Sequence, residues 1–492
     1  MNNNFLRLNS DIKIYFILIL LLLILRTYHS FFNLSVGEHD WTFLLVGRSL
    51  YNGNLPFIET WNMTGPIVFI FYAIPFYFEN YIAALKLSGI ISIWIACIFT
   101  YETSKKLFGL TSGIFASVGL AIITSSEESF LTSEVEIFIL PFLSVYIYFI
   151  FKDFLKSNLL DIILAALSIS LATLIRPSLG LVAFLGTFIF LFSYEKKIQK
   201  TLIYIFSGIV PLMILLFLYS RIPDGINIFW RSTFDAHLAY PAGRPFFLGF
   251  FQFIENFGIK QWYSLFILSF IIIFFNKDYL KELLVMALFV SVIIISFCLT
   301  RKFSDYYVLI CFPFLIIMSS SILDEKLNIS KILIVPLVIL ILFAPALNNV
   351  VEQIKLKYRP INKTQVLHNE LKDIIRENDT LFSLDNGLYI LFDKPLPTKI
   401  AHPSNLFKHY SLSAYYGIPN YGTEDELSLI LQSKPDYLVF LEKWKARLPK
   451  KIKNIIDRNY IVYNFIDTEK IKKFKRVNRE YLNSITLYKL IK

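Results

Sequence analysis

The sequence predicts an all-α polytopic membrane bundle of about eleven transmembrane helices, within a range of eleven to thirteen, followed by a soluble α/β or α+β domain. Three observations carry this. Of 492 residues, 55% are hydrophobic and only 17% charged, whereas a water-soluble surface needs roughly a quarter to a third of its residues charged. Apolar runs such as Ile14–Leu25 are unbroken, which suits helices in hydrocarbon and excludes a β-barrel, whose strands alternate. The last ~140 residues hold about half of the charged residues and most of the +11 net charge, so that part of the chain reads as solvated.

The first apolar run, Lys13–Phe32, is longer than the roughly 7–15 residues of a signal-peptide core, so it reads as a retained span. Further spans are expected near Tyr81–Tyr101, Leu110–Ile123, Glu136–Phe151, Leu159–Ile175, Leu179–Phe192, Leu202–Tyr219, Trp262–Phe275, Leu283–Leu299, Tyr306–Ile322 and Ile332–Phe343. Pro66–Phe78 is short and carries Pro75, which favours an interfacial or re-entrant piece over a span. This gives a membrane domain over 1–348, with external loops 34–80 (re-entrant segment 66–78) and 221–257, and a soluble domain over 349–492.

Short lysine-rich connections alternate with longer ones. Lys105/Lys106, Lys152/Lys156, Lys196/Lys197/Lys200, Lys277/Lys281 and Lys326/Lys331 share a side with Arg7 and Lys13, which places the amino terminus in the cytoplasm and the long loops and soluble domain outside. Arg301–Lys302 is the exception. Cys97, Cys298 and Cys311 all lie in apolar runs without a CxxC pair, so no disulfide framework or thiolate metal site follows. In the soluble part, Thr380–Leu384, Leu388–Leu391, Glu424–Gln432, Tyr437–Leu441 and Tyr460–Phe465 read as strands and helices. Its basic balance suits anionic lipid headgroups; no nucleic-acid motif is present, so nucleic acid is not expected as a partner.

The first external loop carries the chemistry. It reads Gly37-Glu38-His39-Asp40-Trp41, then Gly53-Asn54-Leu55-Pro56-Phe57 and Trp61-Asn62-Met63-Thr64-Gly65-Pro66. Acids kept beside a membrane span are costly unless used, and Asp40 is placed to act as a general base at the membrane surface; a solvated loop acid is the bland alternative. The order of acid, Gly-x-Leu-Pro-Phe and Trp…Pro resembles the GT-C superfamily of polytopic glycosyltransferases, which includes protein mannosyltransferases and lipid A aminoarabinose transferases. The usual Asp-Glu pair is His39-Asp40 here, with Glu38 before it, so the carried-over base is Asp40 with Glu38 as the alternative. Thr64-Gly65-Pro66 departs from the usual Lys/His-Pro-Pro. Lys86 stands where the family has Arg, Glu134-Val135-Glu136-Ile137-Phe138 resembles a later external motif, and Arg176-Pro177 resembles a turn between spans. The tail segments Asp393-Lys394-Pro395 and Lys434-Pro435-Asp436-Tyr437 are similar to those of bacterial members. Each motif is degenerate, but together they cover nearly the whole chain.

The resemblance implies transfer of a sugar from a polyprenyl-phosphate donor to an acceptor hydroxyl, with inversion, at the external face of a bacterial inner membrane. The acceptor would be a lipid, a polysaccharide or a protein. Such a reaction needs a carboxylate to take the acceptor proton and cations to stabilise the departing phosphate. Asp40, Glu38 and Glu136 are the candidate carboxylates, Glu136 toward acceptor or sugar hydroxyls. Lys86, Arg176, Arg231, Arg244 and His237 are the candidate phosphate and substrate partners; for the arginines, snorkelling at the interface is the competing reading. Trp230–Phe247, rich in aromatics, Pro and Gly, suits a mobile gate, with a static external loop as the alternative. His39, Asp40, Asp235 and His237 supply ligand types sufficient for a divalent cation, although no HExxH spacing is present, so no metal site is assigned. A lipid-linked saccharide flippase would keep charges near the bilayer midplane and show repeat-related halves; an envelope polysaccharide polymerase or ligase would use a diphosphate donor.

Overall fold

The computed structural model describes residues 2–27, 36–126, 134–155, 158–193, 196–241, 244–259, 263–301, 303–324, 363–466 and 485–491, with isolated positions between 344 and 351. The expected span Ile332–Phe343, Trp262, Lys302, Lys326 and Lys331 lie outside the described residues. The chain divides into two compact units. One comprises Met1–Phe31, Leu85–Phe217 and Gly243–Lys355; the other comprises Phe32–Ala84, Leu218–Ala242 and Leu356–Lys492.

The first unit is helical. Among the described residues, five helices are long and apolar enough to cross a membrane: Tyr81–Phe108, Val135–Lys152, Lys197–Tyr219, Lys277–Leu299 and Tyr306–Leu323. Shorter apolar helices lie at Leu110–Ile123, Leu159–Ile175, Pro177–Phe192 and Ser264–Phe275, and the amino-terminal helix runs Asn2–Thr27. These match the expected runs because an apolar chain in hydrocarbon must satisfy its backbone within each segment. Pro141 and Pro211 sit inside helices, as neighbouring spans permit.

Small polar groups join these helices. Ser104 and Ser320 hydroxyls meet at 2.6 Å, and Ser269 and Ser319 at 2.8 Å, the kind of interhelical hydrogen bond that holds membrane helices together. At one end Lys105 pairs with Asp11 at 2.6 Å, Tyr15 donates to Glu102 at 2.6 Å, and Lys152 pairs with Asp161 at 2.7 Å. Lys106 and Lys152 both lie over the Tyr148 ring. Two of the lysine-rich connections expected to share a side thus meet at one end of the bundle.

The second unit joins the first loop to the carboxyl-terminal segment. Glu38–Tyr51 is a helix of 14 residues. Val68–Ala73 is a short helix that tightens to a 3-10 turn over Ile74–Tyr77, where Pro75 removes a donor. Gly47 lets the two helices touch: a Cβ there would lie 2.4 Å from the Tyr72 carbonyl oxygen.

The carboxyl-terminal segment builds a mixed sheet from β1 (Leu381–Ser383), β2 (Tyr437–Leu441), β3 (Tyr460–Ile466) and β4 (Ile485–Leu490). The order is β1-β2-β4-β3; β1 and β2 are parallel and the other pairs antiparallel. Every residue of β2 is buried, as expected of an inner strand covered on both faces. Leu388–Leu391 belongs to a helix, Asn386–Leu391, because Asp385 caps it by accepting from the Gly387 N–H.

One expectation is corrected. The segment expected as a loop at Trp230–Phe247 is helical as far as Ala239: Gly225–Trp230, a π-helical turn over Arg231–Asp235, then Ala236–Ala239. No Gly or Pro interrupts residues 226–240; Pro241 ends the helix.

Candidate functional site

Asp40 lies in the first turn of the helix Glu38–Tyr51. Gly37 enters extended, with ψ 157°, and its N–H donates to Asp40 Oδ2 at 3.3 Å. Tyr72 OH faces Oδ1 at 3.4 Å, longer than a normal O–H···O bond. Asp40 is 2% exposed. The first turn of a helix favours a carboxylate through its unsatisfied N–H groups. A carboxylate that accepts a capping N–H keeps further lone pairs, so a capping role and a role as base are compatible. The side chain of Glu38 lies outside the described residues.

Around that turn the carboxyl-terminal segment closes. His39 Nδ1 and His402 Nε2 lie 3.1 Å apart, and His402 Nδ1 accepts the Ser404 N–H at 3.0 Å. Asn386 Nδ2 donates to Thr42 Oγ1 at 2.6 Å and to the Ala401 carbonyl at 2.5 Å. Trp61 pairs by backbone with residues 399–401, its N–H donating to the Lys399 carbonyl and its carbonyl accepting from Ala401. The Trp61 indole stacks on Tyr415 with centroids 4.5 Å apart. Trp61 Nε1 and Asn62 Nδ2 are buried polar atoms without a hydrogen-bond partner among the described residues. Such atoms are rare in folded chains, and with an aromatic platform beside them they suit a polyhydroxylated ligand.

Arg48, on the last turn of the same helix, donates to the carbonyls of Tyr389 at 3.2 Å and Lys394 at 2.7 Å and pairs with Asp393 at 3.0 Å. The Tyr389 carbonyl lies in the last turn of the helix Asn386–Leu391, where a cation complements the dipole, and Lys394 lies just beyond that helix. Burial lowers the Arg48 pKa from the usual guanidinium value while Asp393 opposes this; the group stays cationic. Arg231 packs its guanidinium against Gly417, in the left-handed region at φ +66°. Asp235 and His237 follow within the same helical turns, both half-buried.

The remaining candidates belong to the first unit. Glu136, wholly buried, accepts from Arg176 at Oε1, with Nη2 at 2.5 Å and Nε at 3.0 Å. Arg176 lies over the Tyr307 ring, 5.3 Å from its centroid. Glu136 Oε2 has no hydrogen-bond partner among the described residues. Arg176, expected as a phosphate partner, is therefore engaged by an acid, which neutralises both charges within the bundle. Lys86 is 8% exposed on Tyr81–Phe108. Arg244 is half-buried, and its carbonyl accepts from Arg301 at 2.8 Å.

His39, Asp40, Asp235 and His237 do not gather as metal ligands: among the described residues no group of three or more His, Cys, Asp or Glu side chains is placed to hold an ion. The structure also supplies residues the sequence reading missed. Tyr72 and Tyr415 carried no signal. Arg26, buried and donating to the Thr124 carbonyl at 2.7 Å, was visible as a charge at the end of an apolar run. His402 was visible as a helix-capping residue before Pro403.

The chain shares its fold with solved structures. ArnT from Cupriavidus metallidurans in the apo state superposes with a TM-score of 0.64 at 12% identity, covering 96% of this chain and 97% of that one. The same protein bound to undecaprenyl phosphate gives 0.62 at 11% identity, covering 96% and 97%. An Archaeoglobus fulgidus oligosaccharyltransferase in the apo form gives 0.51 at 12% identity, covering 92% of this chain and 73% of that one. In sequence, residues 65–219 match the family described as dolichyl-phosphate-mannose-protein mannosyltransferase, while a comparison with curated proteins finds no match. The chain thus has an ArnT-like fold, and residues 65–219 are similar in sequence to that mannosyltransferase family.

Proposed function

We propose that the enzyme moves a sugar from a polyprenyl-phosphate donor to an acceptor hydroxyl at the external face of the membrane, with inversion. The observation that carries this is a buried acid, Asp40, in the first turn of the first-loop helix of a GT-C fold. Asp40 takes the proton of the acceptor hydroxyl. The acceptor oxygen bonds to the anomeric carbon as the bond from that carbon to the phosphate oxygen breaks, and the electron pair leaves with the phosphate. Arg231 neutralises that phosphate. Arg176 keeps Glu136 in place within the first unit. The likeness to a protein solved with undecaprenyl phosphate supports a lipid-phosphate donor. About eleven spans, a cytoplasmic amino terminus and an external carboxyl-terminal segment follow from the lysine distribution.

Transfer by purified enzyme from a panel of polyprenyl-phosphate sugars, wild type against Asp40→Asn, tests this. A general base contributes about 10²–10⁴-fold, so Asp40→Asn should lose that much. Full retained transfer sinks the assignment.

A further inference from the structure

The carboxyl-terminal segment reaches the first-loop helix through a two-histidine chain whose protons can be assigned. His402 stands before the helix Pro403–Leu406 as its cap, with Nδ1 accepting the Ser404 N–H at 3.0 Å. The Ser404 hydroxyl lies 2.8 Å from the same nitrogen. A backbone N–H only donates, so Nδ1 of His402 carries no proton, and the neutral ring keeps its proton on Nε2. That Nε2 faces His39 Nδ1 at 3.1 Å. It is the donor, so His39 Nδ1 accepts and the His39 proton sits on Nε2. His402 is 8% exposed, whereas His39 is half-buried. The inner ring is thus locked by the backbone and the outer ring is locked by the inner one.

His39 immediately precedes Asp40 in the same helical turn. Consecutive helical residues point about 100° apart, so His39 and Asp40 do not approach one and the same atom. A displacement has two separate oxygen atoms, the incoming hydroxyl and the outgoing phosphate oxygen. Building on the reading of Asp40 as base, we propose that His402 is a positioning residue that holds His39 as a neutral Nε2–H donor toward the departing phosphate. The carboxyl-terminal segment thereby sets the protonation pattern of the first loop, and Ser404 sets that of His402.

The test separates capping from positioning. His402→Asn keeps an acceptor for the Ser404 N–H, since Asn is a good helix cap, but is too short to donate to His39. His402→Gln has the reach to donate. Nitrogen NMR on histidine-labelled full-length enzyme in micelles, with His39 assigned by loss of its signals in His39→Gln, reads the tautomer without substrate. Wild type and His402→Gln should show an unprotonated, hydrogen-bonded Nδ1 on His39; His402→Asn should show a mixture of tautomers at unchanged unfolding temperature. In transfer assays His402→Asn should lower kcat by about 10–10²-fold with KM little changed, as a displaced catalytic group does, and His402→Gln should recover most of it.

A wild-type spectrum with the proton on His39 Nδ1 overturns the inference, as does a His402→Asn enzyme with wild-type tautomer and kcat. Absence of wild-type transfer with every polyprenyl-phosphate sugar instead overturns the glycosyl-transfer reading, and the substrate-free spectrum tells the two failures apart.

Discussion

Arg176→Met isolates the buried ion pair of the membrane bundle. Arg176 reaches Glu136 Oε1 from two nitrogens, at 2.5 and 3.0 Å, and the two side chains are 16% and 0% exposed. Water therefore cannot take over for a missing partner. Removing one member of a buried pair typically costs about 3–5 kcal/mol, because the other is left desolvated and uncompensated, whereas replacing both by apolar groups is often close to neutral. Arg176→Met should cost about 3–5 kcal/mol, and adding Glu136→Leu to it should restore most of that loss. Thermal and denaturant unfolding in detergent, followed by tryptophan fluorescence, reads both. If Arg176→Met unfolds with wild type, or if the two single losses simply add in the double variant, the pair does not hold the bundle in this way. Arg176 would then be available to a substrate phosphate.

Other perturbations follow from the second unit. Arg48→Ala removes the donor from the carbonyls of Tyr389 and Lys394 and should cost about 2 kcal/mol. Asp393→Ala should leave the unfolding temperature unchanged, because Asp393 is 95% exposed and surface pairs contribute little. Gly417→Ala places a Cβ 2.7 Å from Arg231 Cζ in the left-handed region; it should cost at least about 1 kcal/mol and reduce transfer by displacing Arg231. Burial lowers the His368 pKa from 6.5, the Asn369 hydrogen bond opposes, and Lys372 adds to the lowering. The unfolded chain therefore takes up this proton first as pH falls. The stabilisation is whole above the ordinary histidine value and is lost as pH drops through it toward the folded one, so His368→Gln should flatten unfolding temperature against pH in that window.

The helices of the bundle were legible because hydrocarbon imposes one rule on every residue. Leu110–Ile123 and Leu159–Ile175 appear with the bounds their apolar runs predict. β2 coincides with the run Tyr437–Leu441, and β3 begins where expected at Tyr460. The segment Trp230–Phe247 misled because aromatics and a late Pro-Gly pair look like a loop, while the ten residues before Pro241 contain neither Pro nor Gly and fold as helix. Asp40 and Glu136 could be singled out as costly acids, but not their partners. Nothing in Arg176-Pro177 shows that the guanidinium meets an acid 40 positions earlier.

Composition and apolar period by themselves determined a set of apolar helices and a charged carboxyl-terminal segment, and the first-loop motif pointed to a resemblance. These are local properties, paid residue by residue in transfer between water and hydrocarbon. Tertiary structure decided which charges are spent on one another and which stand at the first-loop helix. It brought His402 to His39 across 363 positions and Asn386 to Thr42 across 344. A hydrogen bond depends on distance and direction in space, and separation along the chain carries neither.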